Sequence, residues 1–431
     1  GDALTDADVN VAVGANALSS DTLGSKSVAI GYKVLETQNF TTATDTYNTA
    51  VGYGAGAAIT TGLYNTLVGG EAGKSLTDVE RNVAIGAFTL DKEELGQRNT
   101  AVGYAALSTQ DFNTATDAHN TAIGNEAGLN LTTGKFNVFL GSVSGGNGTI
   151  TGTHNTGLGM ETLYALTSGT DNVIIGYQSG AKITTGAHNV AVGREALETE
   201  DTGSASTAIG HLSLRVQNND ALNHNSGLGY QSGVAITSGT GNTVTGSFAG
   251  HNITTGDNNT VLGFNLGVGS ATGVGQVVIG SNINGGGVNS VRIGVSAGNA
   301  TLELDGSDTS WAASSDSRLK TDVADCAVGL DFIKALRPIT YKWNAKNAIA
   351  NTLPQYDASS SDPVYGSGKT QHGFLAQEVK TAINAHSGLK NGFSMWSEDP
   401  DGTQQVAPAA VIPMLVKAIQ ELEARIAVLE G

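Results

Sequence analysis

Few residues in this chain could do covalent chemistry. The segment WAASSDSRLKTDV (311–323) places Ser315 five residues before Lys320. A serine hydroxyl is a weak nucleophile until a base takes its proton. A lysine amine can do so only when neutral, which requires burial to lower its pKa from about 10.4. In isolation a serine and a lysine so spaced read as a serine-rich linker with a solvated charge. Five residues along a helix is about 140° round from the start, so for the two to meet the segment must bend, or the partner must come from another chain. Of the eight histidines, His119, His154, His188 and His224 fall in turns and the rest are isolated, so solvated residues and no metal site are expected. Cys326 is the one cysteine, which excludes a disulfide within the chain and reads as a small buried thiol. No cofactor is expected.

Two kinds of structure meet near residue 310. All six prolines follow residue 337, all three tryptophans follow residue 310, and 51 of the 59 glycines precede residue 315. Residues 1–314 carry 11 basic and 26 acidic side chains (net −15), residues 315–431 carry 11 and 13 (net −2), which sum to the −17 of the chain. So acidic a body repels a phosphate backbone, and nucleic acid is excluded as a partner. No run of 18 apolar residues occurs and Gly1–Asn10 has no signal-peptide pattern, so a soluble chain without membrane insertion is expected. Without an initiator Met, it reads as a fragment whose proximal anchor is missing.

A pentapeptide of the form Asn-x-Ala-Val/Ile-Gly recurs, as in NVAVG (10–14), NTAVG (48–52), NTAIG (120–124) and NVAVG (189–193). Seventeen copies end on glycines 14, 31, 52, 69, 86, 103, 124, 141, 159, 176, 193, 210, 229, 246, 263, 280 and 294, and 11 of the 16 intervals are 17 residues. Two intervals of 21 carry nearly the same text, TQNFTTATDTYN and TQDFNTATDAHN, which reads as a loop added to one face of a regular stack. Seventeen residues suffice for two short strands and two turns, so each repeat is one coil of a β-solenoid. At ~4.8 Å per coil, the coils span on the order of 80 Å. The second signature, as in ITTGLYN (59–65) and LTTGKFN (131–137), is expected to supply a φ > 0 turn at its glycine. Asparagine opens 13 of the 17 copies; stacked, it can form a ladder of amide hydrogen bonds, and it tolerates left-handed turns. Within the pentapeptide the central residue faces one way and its neighbours the other, one face toward the interior and one toward a neighbouring chain. So thin a coil argues for several chains packing side by side.

These repeats, over about residues 9–294, resemble the head repeats of YadA-type trimeric adhesins. The resemblance implies a left-handed parallel β-roll in a three-chain assembly. Coils of 17 residues and TTG turns depart from that pattern, so collagen-type binding is not carried over.

Four motifs follow in order: SDSRLK at 315, RPITYKW at 337, GFLAQEV at 373 and LVKAIQEL at 415. Together they resemble the endosialidase-type intramolecular chaperone, the peptidase S74 domain. The resemblance implies a domain that assists trimerisation of the fibre ahead of it and then cuts itself off between Ser314 and Ser315. Ser315 is then the nucleophile and Lys320 the base, with Asp316, Arg318 and His372 as supporting positions. Self-cleavage is the only enzymatic activity so implied, with no external substrate. Trp343 and Phe374 are read as core. At the end, Ile412, Leu415, Ile419, Leu422, Ile426 and Leu429 are spaced 3, 4, 3, 4, 3, the seam of a short parallel coiled coil that favours three strands.

The expected chain is therefore mainly β. Residues 1–294 form the roll of 17 coils, 295–314 connect it to the cleavage site, and 315–431 form a small α/β chaperone ending in a coiled coil over 408–430. The expected function is that of a distal phage tail fibre attaching to the host surface, made in the host cytoplasm and carried outside the cell on the virion. Its partners are two further copies, a glycan or protein receptor, and proximal tail-fibre or baseplate proteins. Three alternatives fare worse. A bacterial trimeric adhesin would end in a membrane-anchoring β-barrel, and a glycan-degrading tailspike would carry a recognisable pair of carboxylates. Ice or mineral binding rests on the threonines of the TTG turns alone.

Overall fold

A computed structural model describes residues 1, 3–304, 312–313, 317, 320–353, 355–365, 368–390, 393–399 and 402–430, with side chains except at 312–313. The chain forms two compact units, Gly1–Ser314 and Ser315–Gly431.

The first unit is a parallel β-solenoid. Its main sheet has 19 strands, of which the last two, Gly298–Glu303 and Ala312–Ala313, run antiparallel; the other 17 are one per pentapeptide. Register is strict: Val11 pairs with Val28, Ala12 with Ala29 and Val13 with Ile30, and the same alignment carries through to Ser290–Val295. Each strand is short, three residues in most coils, because two turns must fit the remainder.

The alternation along each strand decides what is inside. The central residue points into the coil and is fully buried from Ala29 to Val278. Leucines such as Leu18, Leu35, Leu90 and Leu107, four residues past the pentapeptide glycine, meet it there. Large and small alternate: where the strand supplies Leu67, Phe139 or Ile174, the facing position is Gly73, Gly145 or Gly180. Each chain thus closes a continuous core of its own. What is left for neighbours is the outer face. Phe139→Ala would open a void that flanking Gly145 and Gly157 cannot fill, and is expected to cost about 3–5 kcal/mol in chemical denaturation of the roll.

The asparagine ladder is internal. Asn65 N–H donates to Asn48 Oδ1 (2.9 Å), Asn82 N–H to Asn65 Oδ1 (3.0 Å) and Asn99 N–H to Asn82 Oδ1 (3.0 Å). The side-chain amide also donates to a turn carbonyl 14 residues on, as Asn172 Nδ2 does to Gly186 (2.8 Å). One buried side chain so satisfies two orphaned backbone groups per coil. None of these asparagines is left-handed, contrary to expectation. The φ > 0 residue is the one before, such as Tyr64 (φ 60), Phe136 (φ 57) and His188 (φ 57).

The glycine of TTG does not supply a φ > 0 turn either: Gly62, Gly134 and Gly186 lie outside that region. Glycine is needed there because a β-carbon would collide with a carbonyl of the next coil, that of Val79, Gly152 or Gly203. The pentapeptide glycine meets both demands. Gly52 has φ 135, and a β-carbon on it would strike the Gly69 carbonyl.

In the second unit, α1 (Leu330–Ala335) ends ahead of Pro338, and the strand Ile339–Tyr341 pairs antiparallel with Gln371–Gly373. Helix α2 (Ala376–Ala385) follows, then the hairpin Trp396–Glu398 with Gln404–Val406, and α3 (Ile412–Glu430). Phe332, Val379, Ile383, Met395 and Met414 make the core. Pro413 sits in the first turn of α3, where its missing N–H costs nothing.

Candidate functional site

Ser314, Ser315, Asp316 and Arg318 lie outside the described residues. Lys320 lies in no helix; its backbone N–H donates to the Ser317 carbonyl at 3.1 Å, and its side chain is exposed.

His372 is exposed in the middle of the strand Gln371–Gly373, opposite Thr340. It lines a cleft of about 670 Å³ whose described walls include Tyr341, Trp343, Tyr365, Leu375 and Gln404 but not Lys320. Trp343, expected in the core, is 40% exposed instead. It lies just past the end of its strand, held edge-on between Tyr341 (5.3 Å between ring centres) and Tyr365 (4.9 Å). Phe374 is half-buried against the core. Sequence reasoning missed Tyr341 and Tyr365; the aromatic clustering of ITYKW with VYG was the available signal. Cys326 is half-buried and donates its thiol hydrogen to the Val328 carbonyl (3.2 Å).

Helix α3 is bound to the body by one face only. Met414 and Ala418 are buried, and Glu421 accepts the Leu330 N–H at 2.9 Å, satisfying a free donor at the start of α1. The heptad residues face elsewhere: Ile412 is 57% exposed, Ile419 65% and Ile426 51%, with Leu415, Leu422 and Leu429 also exposed. A strip of six large aliphatic side chains in water is unfavourable in a lone chain. Elsewhere in this unit, the Arg337 guanidinium grips Glu378 with two nitrogens and holds its carboxyl below the usual range.

The roll shows a second unpartnered strip. Immediately after the buried central residue, most coils carry an aliphatic side chain that points outward, among them Ile30, Ile85, Ile123, Leu140 and Leu158, each 37–39% exposed. Rows of rings flank it. Tyr47 stacks on Tyr64 (5.6 Å), with Lys26 and Arg81 over their outer faces, and Phe136 is sandwiched between His119 (5.4 Å) and His154 (5.0 Å). Two of the turn histidines are thus stacked on an aromatic ring.

The chain thus comprises a parallel β-solenoid and a small α/β unit whose last helix exposes an apolar seam. Residues 315–388 match the family model of the peptidase S74 domain, described as the chaperone of endosialidase. The second unit therefore carries a chaperone-of-endosialidase domain, of a family linked to self-cleavage. No match was found among curated proteins or among solved structures.

Proposed function

We propose that this chain is the distal part of a trimeric phage tail fibre, whose roll reaches the host surface and whose C-terminal domain drives trimerisation and is then cut off between Ser314 and Ser315. The observation that carries this reading is the chaperone-of-endosialidase match directly after a roll of about 17 coils. Two further copies would cover both unpartnered strips, the outward aliphatic row of the roll and the heptad seam of α3. Ser315 acts as nucleophile and Lys320 as base, with Asp316, Arg318 and His372 in support. Because the Lys320 side chain is exposed in the single chain, the shelter that a neutral amine requires comes from assembly, and cutting then follows correct association. Host attachment, through a glycan or protein receptor, follows from the place of such a roll at the far end of a fibre.

The test is sedimentation equilibrium of the purified full chain. Three copies per particle are expected; a folded single subunit overturns the proposal.

A further inference from the structure

Seven residues after the pentapeptide glycine, seven coils carry a buried aliphatic side chain, such as Ile59, Leu76, Leu131 or Ile183. Three pairs of adjacent coils depart from this in one way: Asp21 then Gln38, Glu93 then Gln110, Glu200 then Gln217. All six side chains are fully buried. In each pair the glutamine Nε2 donates to the carboxylate one coil earlier, at 2.6, 2.7 and 2.8 Å. The other carboxylate oxygen accepts the backbone N–H of a glycine three residues on: Gly24 (3.0 Å), Gly96 (2.5 Å) or Gly203 (2.8 Å). The glutamine Oε1 accepts the amide of the ladder asparagine that closes its own coil, Asn48, Asn120 or Asn225, at 2.9 Å each.

The glutamine coil is in every case a long one. Gly31 to Gly52 and Gly103 to Gly124 are 21 residues and Gly210 to Gly229 is 19, the three longest intervals of the roll. The extra residues leave as an outward loop that returns beside the turn the acid holds. Thr44–Asp45 pairs with Gly24–Ser25, Thr116–Asp117 with Gly96–Gln97, and Leu222 bridges to Ser204. Phe40 and Phe112 are tucked inward at the base of the first two loops.

We infer that an acid at this interior position, followed one coil later by glutamine, is the device by which the roll accepts a lengthened coil and fixes where its loop leaves and returns. When a coil lengthens, the turn N–H loses the next-coil carbonyl that a standard coil gives it, as Thr184 gives Gly169 (3.1 Å). The asparagine amide keeps its turn carbonyl, that of Gly62, Gly134 or Gly239, but not the second acceptor that the preceding ladder asparagine supplies in standard coils, as Asn155 does for Asn172. An aliphatic side chain there would leave the turn N–H buried and unpaired and the asparagine amide with one acceptor instead of two. The carboxylate and the glutamine together supply those acceptors, and a glycine must follow the acid because a β-carbon would press on the carboxylate. Burial pushes the Glu93 and Glu200 carboxyls up, and the N–H donors lining them pull back only in part. Such a site is therefore not neutral ground and is kept where a loop requires it.

The test uses three variants of the full chain, compared by hydrogen exchange at Leu95 and Gly96. The first is Glu93→Leu with Gln110→Leu, keeping the long coil. The second replaces residues 110–119 by the six residues of 131–136, keeping Glu93. The third combines Glu93→Leu with that replacement. Exchange is expected to quicken about tenfold or more in the first two, and to return near the unaltered rate in the third. If neither of the first two folds, recovery of the folded roll in the third supports the inference equally. A first variant as protected as the unaltered chain, or a third no better than the second, overturns it.

Discussion

Replacing Ser315 by alanine is expected to leave one chain of 431 residues on a denaturing gel, where the unaltered protein gives pieces of 314 and 117. On the proposed mechanism the effect is all or none: the Ser315 hydroxyl gives its proton to Lys320 and attacks the Ser314 carbonyl, the peptide bond breaks as that proton passes to the Ser315 amine, and water then hydrolyses the ester to free the two pieces. Lys320→Arg sharpens the assignment. Arginine keeps the positive charge but stays protonated, so it cannot take the serine proton, and cutting should stop as completely as with Ser315→Ala. If the positive charge alone mattered, Lys320→Arg would still cut. Two pieces from Ser315→Ala, of these same masses by mass spectrometry, would remove Ser315 from the mechanism.

The period was plain in the sequence because each coil must repeat the same stacked contacts. The asparagine, the central small residue and the pentapeptide glycine could each be read from the 17-residue spacing alone. Other features depend on what lies one coil away, which a list of repeats hides. The glycine of TTG is required by a carbonyl in the next coil, not by its own dihedral angles, and the two causes look alike in sequence. The left-handed residue before the asparagine varies from Tyr64 to His188 to Asp171, so composition gave no hint that it was the turn. The acid and glutamine pairs were visible as D/E-x-x-G with glutamine 17 residues after the acid, ahead of each long interval, but only as a correlation between coils. Trp343 was misplaced because an aromatic after a β-pattern usually packs inward, whereas its strand ends at Tyr341. Which face of the pentapeptide is the inner one also needed the structure, since both faces are small or apolar.

That last distinction carries a large prediction. Ile123 and Leu140 are register partners in adjacent coils, both pointing away from the chain's own core. Ile123→Asp with Leu140→Asp should therefore leave the coils folded, because the new carboxylates lie in solvent in the single chain. In a three-chain particle the same side chains would enter a dry interface, each present three times, at a cost of several kcal/mol per unpaired buried charge. Like charges gathered on one axis add repulsion. Sedimentation should fall from three copies to one while the circular dichroism of the strands persists. If the substituted protein still sediments as three copies, the aliphatic row is not the surface that joins them, and the heptad seam of α3 alone must hold the assembly. If instead the strands are lost along with the assembly, the coils depend on their neighbours for folding, despite the closed core within each chain.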